Sequence, residues 1–333
     1  MISQRFGYLG KCFLILLIAL IYIPSWAFAT EYYISPTGDD TNSGTTRELA
    51  FKSIAKALDV VYDSNHSAND VITVHVLPGT YTGQYKGIVL GKSLPTVKIV
   101  GEIKNGLRPV FSNGGIHKEW ITLYAKDGQK LNLTIENIEV KKYFSVLSVV
   151  GDRDSASRGN SELTLKNNVF RTIGSKQTNS KGRIAFGAIR LINSSNNKII
   201  GNQFIDIRNS EVCGGLHAIY LAHFSSKNKI INNVFDGTCG APIKFRDRAN
   251  GNVVENNKFV NLENVPALQE WFCDRVANKD CKKPAGECPS ILNVERNNQF
   301  SVDSVPPIEL MGRKVQRPWC STKSFSGARI ISQ

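Results

Sequence analysis

Asn167-Asn168-Val169-Phe170, Gly201-Asn202-Gln203-Phe204, Asn232-Asn233-Val234-Phe235, Asn256-Asn257-Lys258-Phe259 and Asn297-Asn298-Gln299-Phe300 are versions of one tetrapeptide. Their closing phenylalanines stand 34, 31, 24 and 41 residues apart. A short, mostly β-branched run precedes the first four: Leu163 to Leu165, Lys198 to Ile200, Lys229 to Ile231 and Asn252 to Val254. Leu133 to Ile138 is an earlier, looser copy. A fixed strand–asparagine–strand unit at a variable period reads as one coil of a parallel β-solenoid. Strands of successive coils stack at about 4.8 Å, and side chains alternate in and out along each strand. Asparagine tolerates left-handed backbone at a tight turn, and stacked amides can bond along the axis. The phenylalanines and isoleucines fill the interior, and the varying length falls in loops on one side. The competing all-β plan is a sandwich, whose strands would lack this repeated turn asparagine.

Outward from the repeat, Phe51 to Val61 has helical spacing at Phe51, Ile54, Leu58 and Val61. That predicts a helix capping the N-terminal end of the coil stack, which would otherwise leave core and strand edges open. Val71 to Val76, then Pro78 to Tyr81, reads as the first full coil. Residues 263–290 interrupt the repeat with three cysteines and a basic run, as an inserted, disulfide-braced loop. One more coil follows at 291–300, then a tail over 301–333. The expected fold class is all-β: a single-stranded right-handed parallel β-helix with an N-terminal capping helix, one domain over 30–333.

The 333 residues carry 41 Lys+Arg against 28 Asp+Glu, a formal charge of +13. A basic balance suits an anionic partner: nucleic acid, acidic lipid or acidic polysaccharide. Residues 1–29 narrow the choice. Arg5 and Lys11 precede an apolar run from Cys12 to Ile23, and Ala27-Phe28-Ala29 is a small-x-small cleavage site. This is the pattern of a secretory signal peptide, and the run is short for a membrane span of roughly 20 residues. The mature chain keeps 39 bases against 28 acids, a charge of +11. Export, secreted or periplasmic, disfavours nucleic acid, and no membrane contact is expected after cleavage. A monomer is expected. Cys213, Cys239, Cys273, Cys281, Cys288 and Cys320 remain, an even number that implies three disulfides in one of fifteen pairings. Their spacing suits zinc poorly, and no metal site is expected.

Tyr33 to Thr45, Phe51 to Leu58 and Leu77-Pro78-Gly79-Thr80-Tyr81 resemble the opening of secreted right-handed parallel β-helix proteins of the pectin-lyase-like superfamily, in its chondroitinase-B-like and alginate-lyase-like branches. The resemblance covers roughly residues 31–300. It implies the fold and a polysaccharide-active protein, but the superfamily holds lyases, hydrolases and epimerases. The acidic motifs of the polygalacturonase type are missing, with Gly215-Leu216-His217 and Ile243-Lys244 as faint echoes of its later ones. The Asp-Pro-His-Asp motif of mannuronate epimerases is missing too, so no catalytic residue carries over. Many relatives use calcium. No calcium loop stands out here, and Asp39 and Asp40 lie in a polar loop that suits an ion or a turn equally.

Aligning the coils on the turn motif brings 188–192, 218–222 and 242–246 into register. Ile189, Ile219 and Ile243 then stack inward, as do Leu191, Leu221 and Phe245. Arg190, Tyr220 and Lys244 form one outward column, and Ile192, Ala222 and Arg246 a second. His217 stands at a strand start, with His223 and Asp247 at strand ends. Uronate β-elimination needs the carboxylate neutralised, a base for the C5 proton and an acid for the leaving oxygen. Arginine suits the first task, and lysine, tyrosine or histidine the others. Lys244 among Arg190, Arg246 and Arg248 would have its pKa lowered by like charge. The expected catalytic set is Lys244, Arg246, Tyr220 and His217; the expected substrate-binding set is Arg190, His223 and Arg248. The plainer view is that the cations are solvated surface, Tyr220 packs under a loop and His217 satisfies a turn. The leading function is a lyase on an acidic polysaccharide. The alternatives are an acidic-glycan-binding protein without activity, or a hydrolase or epimerase using Asp236, Asp247 or Glu211.

Overall fold

The computed structural model describes residues 29–63, 65–113, 118–174, 185–274, 281, 286–301, 306–311, 319–320 and 330–333. The signal segment, apart from Ala29, and the basic run from Lys279 to Lys283, apart from Cys281, lie outside the described residues.

Three parallel sheets run the length of the chain, one of eleven strands and two of eight. Each coil contributes one strand to each sheet in turn. Thr164, Leu165 and Lys166 of the first sheet pair with Lys198, Ile199 and Ile200, which pair with Lys229, Ile230 and Ile231. In the second sheet Phe170 pairs with Phe204, then Phe235, Phe259 and Phe300. This is the right-handed parallel β-helix expected from the repeat.

The tetrapeptide turns the chain from the first sheet into the second. Its first residue is left-handed: Asn167, Asn232, Asn256 and Asn297 have φ between 54° and 57°, and Gly201 stands at 66°. Asparagine and glycine are the residues that accept this conformation cheaply. The second asparagine points inward and builds a ladder. Asn168 Nδ2 donates to Asn202 Oδ1 (3.0 Å), Asn202 to Asn233 (3.1 Å), Asn233 to Asn257 (3.0 Å) and Asn257 to Asn298 (3.0 Å). In the earlier copy Ile138 stands in the ladder position, and its backbone N–H donates to Asn168 Oδ1 (3.1 Å). A second ladder, Asn197–Asn228–Asn252–Asn293, bonds at 2.8–2.9 Å before the first sheet's strands. Beside the first ladder the rings of Phe204, Phe235, Phe259 and Phe300 stack with centroids 4.8–5.2 Å apart, and Phe170 meets Phe204 tilted at 50°.

The N-terminal helix spans Ile54–Val61. Ser53 caps it by accepting from the Lys56 N–H, and Ile54, Ala57, Leu58 and Val61 are buried. Phe51, expected on its apolar face, lies before the helix and bridges to Ile34. At the other end the coils continue further than the repeat suggests. Residues 263–290 include a strand, Leu268–Trp271, in register with Ile243–Arg246. The tail adds Ile308–Leu310 to the third sheet and Ile330–Ser332 to the first.

Buried amides with several partners are costly to remove. Asn233→Ala is expected to lower unfolding free energy by about 3 kcal/mol, because Asn233 also donates to the Ile199 and Ile231 carbonyls. Asn232→Gly, at φ 57°, should stay within about 1 kcal/mol of the parent in the same denaturant titration.

Candidate functional site

The third sheet carries the site. Ile189, Ile219 and Ile243 pair in register, as do Leu191, Leu221 and Phe245, and all six are fully buried. The intervening residues point outward. Thr122, Ser148, Arg190, Tyr220, Lys244, Gln269 and Glu309 follow one another strand by strand, a polar column across seven coils. The neighbouring column runs Tyr124, Val150, Ile192, Ala222, Arg246, Trp271.

Outward does not mean exposed here. Tyr220 is only 4 % exposed and forms a small apolar cluster with Ile192 and Ala222, apart from the main core. Its ring stacks on Phe186, centroids 5.8 Å apart, and on His217 at 5.9 Å. Its hydroxyl accepts from Arg246 Nη1 (2.9 Å). Burial is the main cause of a raised Tyr220 pKa. Arg246 is clamped from the other side by Glu287, with Nε and Nη2 donating at 2.8 and 2.7 Å. Glu287, itself 3 % exposed, also accepts from the Cys273 N–H (2.8 Å). Arg246 is therefore a spoken-for cation that aligns the Tyr220 hydroxyl.

Lys244 differs from Arg246. Among the described residues its ammonium makes no hydrogen bond or ion pair. It lies over the Trp271 ring, 5.2 Å from the centroid, with the Arg246 guanidinium 4.6 Å from the same ring. Burial first and the Arg246 charge second lower its pKa to about 8, against a smaller raising effect of the Glu309 and Glu287 carboxylates. The like-charge argument from sequence thus gives the right direction with a different leading cause, and Arg190 and Arg248 are not among the causes. His217 is buried, with Nδ1 2.7 Å from the Ala241 carbonyl oxygen. Burial first and Lys244 second hold its pKa at about 3, so it is neutral and donates from Nδ1. Among the described residues Arg190 makes one side-chain bond, Nε to Ser148 Oγ (3.1 Å).

His223 and Arg248 stand apart from this group, at the turn leaving the sheet. His223 and Phe224, and Asp247 and Arg248 one coil on, are consecutive left-handed residues with φ of 47–68°. Each costs backbone energy that the neighbouring coils must hold; the Phe224 N–H donates to the Asp247 carbonyl (3.0 Å) and Arg248 to Cys288 (3.2 Å). His223 Nδ1 donates to Asp247 Oδ2 (2.8 Å), and Nε2 accepts from Arg153 Nη2 (2.5 Å). Burial lowers the His223 pKa. These groups line a cavity of about 140 Å³ with Arg248, Asp154 and Gly286.

His223, Asp247 and Glu287 bring potential metal-ligand atoms within 4.8 Å of one another. The donor set suits a cation poorly. Arg246 occupies Glu287, and Arg248 Nη1 (2.5 Å) and the Cys288 N–H (3.0 Å) occupy Asp247. Asp39 and Asp40 are consumed by turn and cap bonds to Thr41, Lys52 and Ser53.

Sequence reasoning missed Trp271 and Glu287, because 263–290 reads as an insertion. The match of Leu268-Gln269-Glu270-Trp271 to Ile243-Lys244-Phe245-Arg246 is the signal that locates the first; Glu287 has none. The strap bearing Glu287 is held by disulfides Cys273–Cys281 and Cys288–Cys320, with Cα atoms 5.5 and 5.7 Å apart; Cys213–Cys239 closes the third bridge.

No protein-family model and no curated protein matches the sequence. The chain is similar to several solved structures. The catalytic domain of a GH87 α-1,3-glucanase in complex with nigerose is 17 % identical, TM-score 0.46, over 84 % of this chain and 40 % of that one. Alginate lyase from Paenibacillus sp. str. FPU-7 is 11 % identical, TM-score 0.48, over 78 % and 97 %. Pectate lyase Pel9A is 16 % identical, TM-score 0.37, over 80 % and 61 %. The chain thus spans less than half of the glucanase domain it matches. The chain's own strand pairing, three parallel sheets with one strand after another in sequence, makes it a parallel β-helix.

Removing one partner of a buried ion pair strands the other. Glu287→Ala should therefore cost about 3 kcal/mol in denaturant unfolding, and Arg246→Met with Glu287→Leu should recover most of that loss.

Proposed function

We propose that the protein is an exported lyase that cleaves a uronate-containing polysaccharide by β-elimination on the outward face of the third sheet. The observation that carries this reading is Lys244: a half-buried ammonium on Trp271 that among the described residues is hydrogen-bonded or ion-paired to no carboxylate, its pKa lowered to about 8. A group of that kind can take a proton near neutral pH. The strand backbone holds it rigidly, as a catalytic base requires.

The remaining roles follow from the column. Arg190, two strands away and bonded only through Nε, leaves its terminal nitrogens for the uronate carboxylate, and that pairing acidifies the C5 proton. Lys244 Nζ takes the proton, the electron pair forms the C4–C5 double bond, and the C4–O bond breaks. Tyr220 gives its hydroxyl proton to the leaving oxygen; its oxygen is held by Arg246 and its proton has no acceptor among the described residues. Arg246 and His217 act as positioning residues. Arg248, paired with Asp247, and Arg153, held by His223, stand at the edge of the face. The +13 charge and three disulfides agree with an exported protein and an anionic polymer. The second reading is a binding protein that grips the same polymer without cleaving it; the burial of Tyr220 favours it.

Alginate, pectate and chondroitin sulfate separate the readings. A lyase yields the ultraviolet absorbance of the unsaturated product, a hydrolase yields reducing ends without it, and a binding protein yields retention alone. Lys244→Ala is expected to reduce the absorbance rate at least about 100-fold with the fold intact. Because the neutral amine is the base, the wild-type rate should rise with pH through about 8. A rate that Lys244→Ala leaves unchanged refutes the assignment of the base.

A further inference from the structure

Tyr220 and Lys244 stand side by side across a single strand boundary. They pair directly in register and both point outward from the third sheet, where neighbouring strands are about 4.8 Å apart. Their side chains lean the same way along the axis. The Tyr220 hydroxyl accepts from Arg246 Nη1 (2.9 Å), one coil on. Lys244 Nζ lies 5.2 Å from the centroid of Trp271, likewise one coil on. The two tips therefore keep the spacing of their strands and do not splay. Phe186 and His217 stack on the Tyr220 ring, centroids 5.8 and 5.9 Å away, and hold the phenol in that direction.

Groups that act on opposite faces of a sugar ring must leave room for the ring between them. With van der Waals contacts of about 3.5–4 Å on each side, that takes about 7 Å. Two groups one strand spacing apart are too close to flank a ring, so both meet the same face of it. Ionisable neighbours of the pair are committed elsewhere: Glu287 to Arg246 and the Cys273 N–H, Glu309 to the Gln269 amide, and His217 to the Ala241 carbonyl.

We infer that elimination on this protein is syn: base and acid work on one face of the ring, and the substrate is a uronate whose C5 hydrogen and C4 oxygen are cis. The inference rests on the lyase reading above and narrows it to a configuration. In D-gluco and D-manno uronates these two atoms lie on the same side of the ring. In D-galacto, L-gulo and L-ido uronates they lie on opposite sides, and Lys244 placed on the hydrogen would leave Tyr220 across the ring from the leaving oxygen. In the cis case Lys244 Nζ takes the C5 proton, the C–H electron pair becomes the C4–C5 double bond, and the C4–O bond breaks. Its electrons leave on the oxygen, which takes the Tyr220 proton. The proton gained by Lys244 replaces the one lost by Tyr220, and the pair is reset.

Polymers that differ only at C5 test this, since each pair has the same charge and the same linkage positions. The wild-type protein is given mannuronan against guluronan, and desulfated chondroitin against desulfated dermatan, at saturating polymer so that affinity does not enter the rate. Mannuronan or chondroitin should yield the ultraviolet absorbance of the unsaturated product at least about 100-fold faster than its C5 epimer, the loss expected when one proton transfer is denied its catalyst. Polygalacturonate, trans at the same two atoms, should yield none. A smaller ratio, the reverse preference, or product from polygalacturonate overturns the syn course while leaving the lyase reading in place. Absorbance from none of the five polymers overturns both.

Discussion

Hydrogen bonding from one asparagine amide to the next is the constraint on which the other features hang. The inner ladder amides, such as Asn202 and Asn233, are buried, and each has its donor and acceptor taken by coils on either side. A coil displaced by one residue along its strand would leave those groups unsatisfied inside the protein, at about 1–3 kcal/mol each. It would also turn the core phenylalanines outward. The ladders therefore fix register, and register decides which side chains become neighbours. Arg190, Tyr220 and Lys244 are 24 to 30 residues apart in sequence and adjacent in space because the Asn ladders permit only that alignment.

Much of the fold is written in the repeat for this reason. Asn167 and Asn168 are read together: the first for its left-handed backbone, the second for its amide. The inward isoleucines and the outward column follow from the alignment. The helix was visible from Ile54, Leu58 and Val61, though Phe51 belongs to a bridge, since its spacing fits either. Less legible were the parts where the period lengthens. Leu268–Trp271 continues the third sheet but lacks a nearby asparagine motif, and so vanishes into a cysteine-rich stretch. Burial was illegible too. Alternation says that Tyr220 faces outward; it does not say that Phe186 lies across it. Glu287 reaches Arg246 from 41 residues away, beside the Cys288–Cys320 bridge.

That strap changes the chemistry available on the face. Arg246 and Lys244 stand two residues apart on one strand, over one tryptophan, and their fates diverge through one carboxylate. Glu287 sits on the Arg246 side, so the guanidinium becomes a fixed dipolar partner for Tyr220. Guanidinium suits that role, since its fork bonds a carboxylate and a phenol at once. Lys244 is left with a ring face, which stabilises a cation less than a carboxylate does. Its proton is correspondingly easier to lose.

The division has a consequence for how charge is used on a basic protein. A cation paired to a carboxylate contributes little field to a ligand, whereas an unpaired one in a half-buried setting acts at full strength over a short range. Counting lysines and arginines therefore misjudges the face. Lys86 and Arg246 are neutralised locally by Asp59 and Glu287, and their charge is lost to a polymer lying across the sheet. Arg190 and Lys244 are not, and they lie on the same column with only Tyr220 between them. The uncompensated positive charge of this column is thus concentrated over about 10 Å of the axis. On the proposed lyase reading, a field of that shape would hold one acidic residue in register instead of gripping a polyanion along its length, which is the condition for chemistry at a single bond.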